Sequence, residues 1–158
     1  MRNQNRIRKR SAIALALAGL LLLVATPTAQ AAAVHPDIQA VLDEVPGGVV
    51  VSFSEAYWPA LDMAMVVPGS TLSRVAVGSC ASGKICSYAS ANLSGTRLEW
   101  SSCATHSVPS SHVSRSFANA RASGSIVNAR NGTTVVASAS AGNWKNLTAT
   151  VTNFRCVE

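Results

Sequence analysis

Three of the four cysteines of the chain lie in one short stretch that carries little charge. Residues 78–103 have the sequence GSCASGKICSYASANLSGTRLEWSSC, which contains Cys80, Cys86 and Cys103, and the fourth cysteine, Cys156, lies close to the C-terminus. Grouped cysteines can ligate a metal, carry out redox chemistry or form disulfides. The spacing of the cysteines and the rest of the chain distinguish these uses.

The spacing argues against metal binding and redox chemistry. Cys80 and Cys86 form a C-x5-C pair, whereas zinc knuckles commonly use C-x2-C or C-x4-C, and no histidine stands at ligand spacing. A Cys-x-x-Cys motif of the thioredoxin type is also missing. We therefore expect two disulfides, no metal site and no cofactor. Four cysteines permit three pairings, and the spacing alone does not choose among them.

The first residues have the features of an export signal. MRNQNRIRKR is basic, SAIALALAGLLLLVA is apolar, and TPTAQAAA places small residues at Ala29 and Ala31. The apolar run is too short to span a bilayer comfortably, and no stop-transfer flank follows it. We predict a signal peptide over residues 1–31, with a retained membrane anchor as the alternative. The mature protein is then secreted and extracellular, where disulfides persist.

Removal of the signal peptide changes the charge of the chain. Five of the 13 Lys and Arg residues lie in the first ten positions and none of the seven Asp and Glu residues does, so eight basic and seven acidic side chains remain. Binding of nucleic acid or of an anionic membrane requires a cationic stripe, which this balance does not provide. We therefore expect neither partner for the mature chain, which we predict to be a monomer.

Residues 32–74 predict a short helix followed by a β-hairpin. Apolar residues recur at helical spacing within His35–Glu44, and the PGG sequence at Pro46–Gly48 ends that helix. Two apolar runs follow, VVVSFSEAYW and LDMAMVV, on either side of Pro59. We predict that they form a β-hairpin over Gly48–Val67.

Residues 75–158 contain an internal repeat. HVSRSFAN (112–119) and NLTATVTN (146–153) share a pattern of apolar, hydroxyl and Asn residues at a separation of 34 positions. GKICSY from Gly83 and GSIVNA from Gly124 precede them as matching strand starts. We predict two β units of about forty residues each, packed face to face as a two-sheet β-sandwich.

Two further features of the repeats carry structural predictions. Asn131-Gly132 beside the β-branched run TTVV is a hairpin signal, because both central positions of such a turn tolerate positive φ. The paired hydroxyls are expected to hydrogen-bond to a folded-over turn in each unit and hold it in place. These residues are Ser114 and Ser116 in the first unit and Thr148 and Thr150 in the second.

The stretch CASGKICSYASANLSGTRLEW, together with SRSFANA, resembles the small secreted inhibitors typified by the streptomycete metalloproteinase inhibitor. That family has a βγ-crystallin-like fold of two Greek keys. The resemblance covers about the last eighty residues and includes the C-x5-C pair and Arg97. It also includes the crystallin pattern of an aromatic, a four-residue gap, a bulky residue, any residue and Gly, at Tyr88, Leu93 and Gly95. Residues 35–67 resemble the N-terminal extension of actinobacterial relatives.

The resemblance implies both a fold and a disulfide pairing. The fold is mainly β, a βγ-crystallin-like two-Greek-key β-sandwich over residues 75–158, preceded by the helix and hairpin. The family's pairing implies a Cys80–Cys86 disulfide. Cys103 and Cys156 are then paired by elimination and by their positions at the ends of the repeats.

The resemblance also implies a function, a non-catalytic protein that binds an extracellular protease. The residues nearest to the family's inhibitory position are Thr133, Thr134, Val135 and Val136. An ordinary strand of the second Greek key explains the same β-branched run and is the interpretation we favour. The family's inhibitory loop is stapled by a disulfide, and this segment contains no cysteine. A structural or surface-associated extracellular domain without inhibitory activity is therefore the alternative.

Calcium binding and catalysis find less support in the sequence. The positions at which crystallin-type domains bind calcium hold Ser111, His112, Lys145 and Asn146, none of which is a carboxylate. The chain has no Gly-x-Ser-x-Gly elbow, and Asp37, Asp43 and Asp62 all lie in the N-terminal part. We predict no catalytic residues and keep a small secreted hydrolase as the third hypothesis.

Overall fold

A computed structural model of the protein describes residues 33–69 and 75–158. The signal peptide predicted over residues 1–31 lies outside the described residues, as does the predicted boundary at residue 74. Within the two described ranges, no helix is long and apolar enough to cross a membrane. These described residues are mainly β, with one short α-helix.

The helix predicted over 35–44 is confirmed as α1 (Pro36–Glu44). His35 caps it, because its Nδ1 atom accepts a hydrogen bond of 3.2 Å from the backbone N–H of Asp37. Pro36 occupies the first turn, where a missing N–H costs nothing. Ile38 and Val41 lie on the buried face and contribute to the main core.

The predicted hairpin over 48–67 is instead a three-stranded meander, β1 (Val49–Ser52), β2 (Glu55–Trp58) and β3 (Met63–Val66). The run VVVSFSEAYW is not one strand, because the chain reverses after Ser52. The hydroxyl of Ser52 accepts a hydrogen bond of 3.3 Å from the N–H of Ser54 and closes this turn. A short 3-10 turn then connects β2 to β3.

Ten further strands follow in the second described range. They are β4 (Val75–Val77), β5 (Cys80–Ala81), β6 (Ile85–Ser90), β7 (Ser94–Trp100), β8 (Thr105–Ser107), β9 (Ser116–Asn119), β10 (Ile126–Asn131), β11 (Thr134–Ser140), β12 (Asn143–Asn146) and β13 (Asn153–Val157). The two main sheets have the orders β1-β2-β3-β7-β6-β9-β12 and β11-β10-β13-β8, and β4 pairs with β5. All of these pairings are antiparallel.

Each main sheet contains three strands of one repeat and one edge strand of the other repeat. The first repeat supplies β6, β7 and β9 to the larger sheet, and β12 of the second repeat pairs with β9 at its edge. The second repeat supplies β10, β11 and β13 to the smaller sheet, and β8 of the first repeat pairs with β13. The meander extends the larger sheet through the pairing of β3 with β7. The two predicted strand starts are confirmed, since β6 and β10 both begin two residues after the expected glycines.

The main core lies between the sheets and includes aromatic side chains from both repeats. Phe117 of β9 and Phe154 of β13 have ring centroids 5.3 Å apart, and Trp100 lies 5.8 Å from Phe154. These three side chains are almost completely buried. Facing aromatic pairs of this kind add to the burial energy that holds the sheets together.

Two disulfides connect the four cysteines, Cys80–Cys86 and Cys103–Cys156, as expected. Cys80–Cys86 belongs to a second, smaller core that also contains Tyr88 and Ala118. Cys103–Cys156 lies at the main core and joins two positions 53 residues apart. Both disulfides are compatible with an extracellular protein.

Candidate functional site

The predicted protease-contact residues all lie in one hairpin at the edge of the smaller sheet. We call residues 131–137 the hairpin arm. Thr133 lies in the turn between β10 and β11, and Thr134, Val135 and Val136 begin β11. The sequence placed Asn131 and Gly132 at the centre of the turn, but the central residues are Gly132 and Thr133. Gly132 has φ of +59° and takes the first central position, where such turns favour glycine.

The two valines of the hairpin arm have different surroundings. Val135 pairs with Arg130 of β10 and is 51% exposed, whereas Val136 is partly buried against the main core. The register shifts at this point, so that β11 has one residue more than β10. A bulge at a sheet edge turns side chains outward and interrupts pairing. Most of the arm lies in strand β11, and it presents Val135 at the surface.

Hydrogen bonds from neighbouring segments of the chain fix the turn of the hairpin arm. The N–H of Gly132 donates to the Thr152 hydroxyl at 2.8 Å, and the Asn153 side-chain amide donates to the Gly132 carbonyl at 2.9 Å. The Arg130 guanidinium donates to the Thr133 carbonyl at 3.2 and 3.3 Å. The arm carries no disulfide, but its turn has a fixed position.

In the first repeat all of the predicted fold-motif residues except Ser114 converge on one folded turn. The Ser116 hydroxyl accepts a hydrogen bond from the N–H of Leu93 at 3.0 Å and donates to the carbonyl of Ser90 at 2.7 Å. Gly95 has φ of +79°, and a Cβ atom there would lie 2.8 Å from the Ser90 hydroxyl. Tyr88 is fully buried beside this turn, and burial raises the pKa of its phenol. Ser116 thus has the predicted role.

In the second repeat the predicted hydroxyls are the wrong ones. Thr148 and Thr150 are exposed, and the hydroxyl that binds the turn is that of Thr152. The repeat length explains the error. Ser116 and Thr152, whose hydroxyls bind the two turns, lie 36 residues apart in the sequence, not 34.

Ser114 belongs to a buried polar cluster instead of a turn. Its hydroxyl lies 2.7 Å from the Ser87 hydroxyl, which lies 3.3 Å from Nε2 of His112. Burial lowers the pKa of His112 to about 4, and the nearby Asp37 carboxylate opposes this only in part. Ser87 is fully buried, so a substrate cannot reach its oxygen. The geometry suits a structural hydrogen-bond network. No local pattern in the sequence indicates this network, because Ser87 and His112 lie 25 residues apart.

Glu44 fixes the loop beside this cluster. Its carboxylate accepts hydrogen bonds from the backbone N–H groups of Ser110 and Ser111 at 2.7 and 2.9 Å and from the Ser111 hydroxyl at 2.7 Å. These bonds lower the pKa of Glu44 to about 2, with the bond from the Ser110 N–H contributing most. The C-terminal end of α1 is thereby connected to the loop before β9.

The positions considered for metal binding have other partners. One group of metal-ligating residue types occurs among the described residues, Cys103, Cys156 and Glu158, and both of its sulfur atoms form a disulfide. Asn146, one of the calcium positions considered above, hydrogen-bonds to Asn92. Neither arrangement offers the set of free oxygen ligands that calcium prefers.

Comparisons of the chain with protein-family models, with curated proteins and with solved structures found no match.

Proposed function

We propose that the chain is a secreted, non-catalytic protein of the peptidase-inhibitor family typified by the streptomycete metalloproteinase inhibitor, and that it binds an extracellular protease. In this proposal residues 75–158 form a βγ-crystallin-like pair of Greek keys. The exchange of β8 and β12 between the two sheets supports this fold, since each repeat contributes one edge strand to the sheet of the other. The folded turn held by Ser116 supports it as well.

The observation that carries the proposal is the exposure of Val135 on an edge strand. A protease binds an inhibitor as an extended segment, through main-chain hydrogen bonds and side chains that enter its pockets. β11 is the last strand of the smaller sheet, so the outer side of the hairpin arm is available for such pairing. The arm contains no charged residue, and Val135 offers a β-branched side chain for the primary pocket.

The second candidate is a structural or surface-associated extracellular binding domain without inhibitory activity. The positions of the disulfides favour it, because both lie outside the hairpin arm. A stapled loop has already lost its conformational entropy before it binds, whereas an unstapled one loses it on binding. The hydrogen bonds to Thr152 and Asn153 limit this loss at the turn but not along β11.

Inhibition assays with matched variants test the proposal. Purified mature protein is assayed against a panel of thermolysin-like and serine proteases. Val135→Asp is compared with Val49→Asp, which places the same charge on another half-exposed valine of an edge strand. We expect Val135→Asp to weaken inhibition by at least about tenfold, since it removes an apolar contact from the pocket. Val49→Asp should inhibit like the wild type, and both variants should keep their circular dichroism and melting temperature.

Two results would refute the proposal. If the wild type inhibits no protease of the panel, the non-inhibitory binding domain is the better description. If both variants inhibit equally well, the hairpin arm is not the contact surface.

A further inference from the structure

A groove of about 330 Å³ lies between the two segments that precede β9 and β13. The segments occupy corresponding places in the two repeats, and the N–H of Leu147 donates to the Arg115 carbonyl at 2.8 Å to connect them. The groove is therefore a product of the pairing of the repeats. The residues of its wall used below are Val113, Arg115, Thr148, Thr150 and Val151.

The wall of the groove combines apolar and hydroxyl groups. Val113 is more than half exposed and Val151 is buried, so that an aliphatic side chain placed here would contact both. Thr148 and Thr150 are exposed and leave their hydroxyls available to hydrogen-bond a ligand. A volume of this size accommodates one or two side chains of a peptide and lies at the lower end of the range for ligand pockets.

Arg115 gives the groove its charge. All seven acidic side chains of the sequence lie in the described ranges, and in them Arg115 forms no ion pair. Two carboxylates lie close to groove residues and have partners of their own. The Glu44 oxygens accept from Ser110 and Ser111, and Asp37, which lies near His112, accepts from the Thr96 hydroxyl. His112 lines the groove as well, and at neutral pH it is uncharged because burial lowers its pKa to about 4. A guanidinium without a partner favours a carboxylate, which it can bind through two parallel hydrogen bonds.

We propose that this groove binds an extended acidic peptide segment, with an Asp or Glu side chain on Arg115 and a neighbouring aliphatic side chain against Val113 and Val151. The threonine hydroxyls then hydrogen-bond to the peptide backbone. This site goes beyond the proposed function, because it does not use the side chain of Val135. It gives the protein a second surface for a protein partner, with a charge preference that the hairpin arm lacks.

Titration of the ¹⁵N-labelled mature protein by NMR tests the site. The probe is acetyl-Leu-Glu-Val-amide, the matched probe is acetyl-Leu-Gln-Val-amide, and sodium acetate represents a free carboxylate. We expect shifts of the amide signals of residues 113–115 and 148–152 with the Glu peptide. The Gln peptide and acetate should bind about fivefold more weakly, because an ion pair at an exposed site contributes up to about 1 kcal/mol. Higher salt should weaken the binding of the Glu peptide.

Variants identify the residue responsible. Arg115→Gln should weaken binding of the Glu peptide about fivefold, while Arg155→Gln, which removes another exposed arginine, should leave it unchanged. Val135→Asp should also leave it unchanged, which separates this site from the hairpin arm. The proposal is overturned if no localised shifts appear up to about 5 mM peptide, a concentration that would nearly saturate a millimolar site. Equal binding of the Glu and Gln peptides, equal binding of acetate, or an unaffected Arg115→Gln variant would overturn it too.

Discussion

Asn92 and Asn146 hydrogen-bond to each other twice across the interface between the two repeats. The Asn146 side-chain carbonyl accepts from the backbone N–H of Asn92 at 2.8 Å, and its amide donates to the Asn92 side-chain carbonyl at 2.9 Å. Asn92 and Leu93 both have positive φ, at 57° and 58°. The last residue of β12 therefore stabilises a strained turn in the other repeat.

The substitution Asn146→Ala should lower the free energy of unfolding by about 1 to 2 kcal/mol, because it removes both hydrogen bonds and leaves the turn at Asn92 unsupported. Urea denaturation measures the effect. Lys145→Ala is the control, since Lys145 is exposed on the same strand. A loss no larger than that of the control would show that the turn is stable without Asn146.

The substitution Gly95→Ala should be more damaging than Gly83→Ala. The two glycines have φ of +79° and +84°, so alanine meets a similar backbone penalty at both. A Cβ atom at Gly95 would also lie 2.8 Å from the Ser90 hydroxyl, whereas none of the described residues comes within 4 Å of one at Gly83. We expect about 1 kcal/mol for Gly83→Ala and about 2 to 4 kcal/mol for Gly95→Ala. Thermal unfolding measures both, and equal losses would contradict the close contact.

Stability should decrease on acidification through His112. Its pKa falls from 6.5 to about 4 on folding, so the unfolded state takes up a proton at higher pH than the folded state. This contribution is fully present above pH 6.5 and is lost as the pH falls toward 4. Relative to His112→Gln, the wild type should lose about 3 kcal/mol over this range. Parallel curves of unfolding free energy against pH would indicate that folding does not lower the pKa of His112.

Loss of Cys103–Cys156 should destabilise the protein more than loss of Cys80–Cys86. The two bonds join positions 53 and 6 residues apart, and the longer loop restricts the unfolded chain more. The chain-entropy estimate is about 4 kcal/mol for the first and about 2 kcal/mol for the second. Paired Cys→Ala variants compared in urea measure this difference. The wild type should show no thiol available for alkylation, and reaction of its cysteines without reductant would contradict both bonds.

Local signals in the sequence predicted the elements that local interactions determine. Helix α1 was predicted from its first-turn proline and the spacing of Ile38 and Val41, and it ends within a residue of the expected place. The hairpin at Asn131-Gly132 was predicted with an error of one residue. The reversal after Ser52 was missed, because its turn contains neither glycine nor proline and depends on a serine hydroxyl.

Features that depend on contacts between distant parts of the chain could not be predicted from the sequence. Aligning the two repeats by sequence gave a repeat length of 34 residues, but the loops before β9 and β13 differ in length. The hydroxyl that binds the turn of the second repeat, as Ser116 does in the first, therefore belongs to Thr152 instead of Thr150. The cluster of Ser87, His112 and Ser114 and the bonds of Glu44 to the loop before β9 connect parts of the chain that no local pattern relates. The groove lined by Arg115 also depends on the packing of the two repeats against each other.

The exchange of β8 and β12 also determines the order in which the chain can acquire its structure. Until residues 143–146 are available, β9 is an open sheet edge, and β8 has no neighbour until β13 arrives at residues 153–157. Neither repeat can complete its own sheet before the strands of the other repeat that pair with it have been synthesised. Pairings over such long sequence separations slow folding to about milliseconds to seconds, and they leave apolar edges exposed during that time.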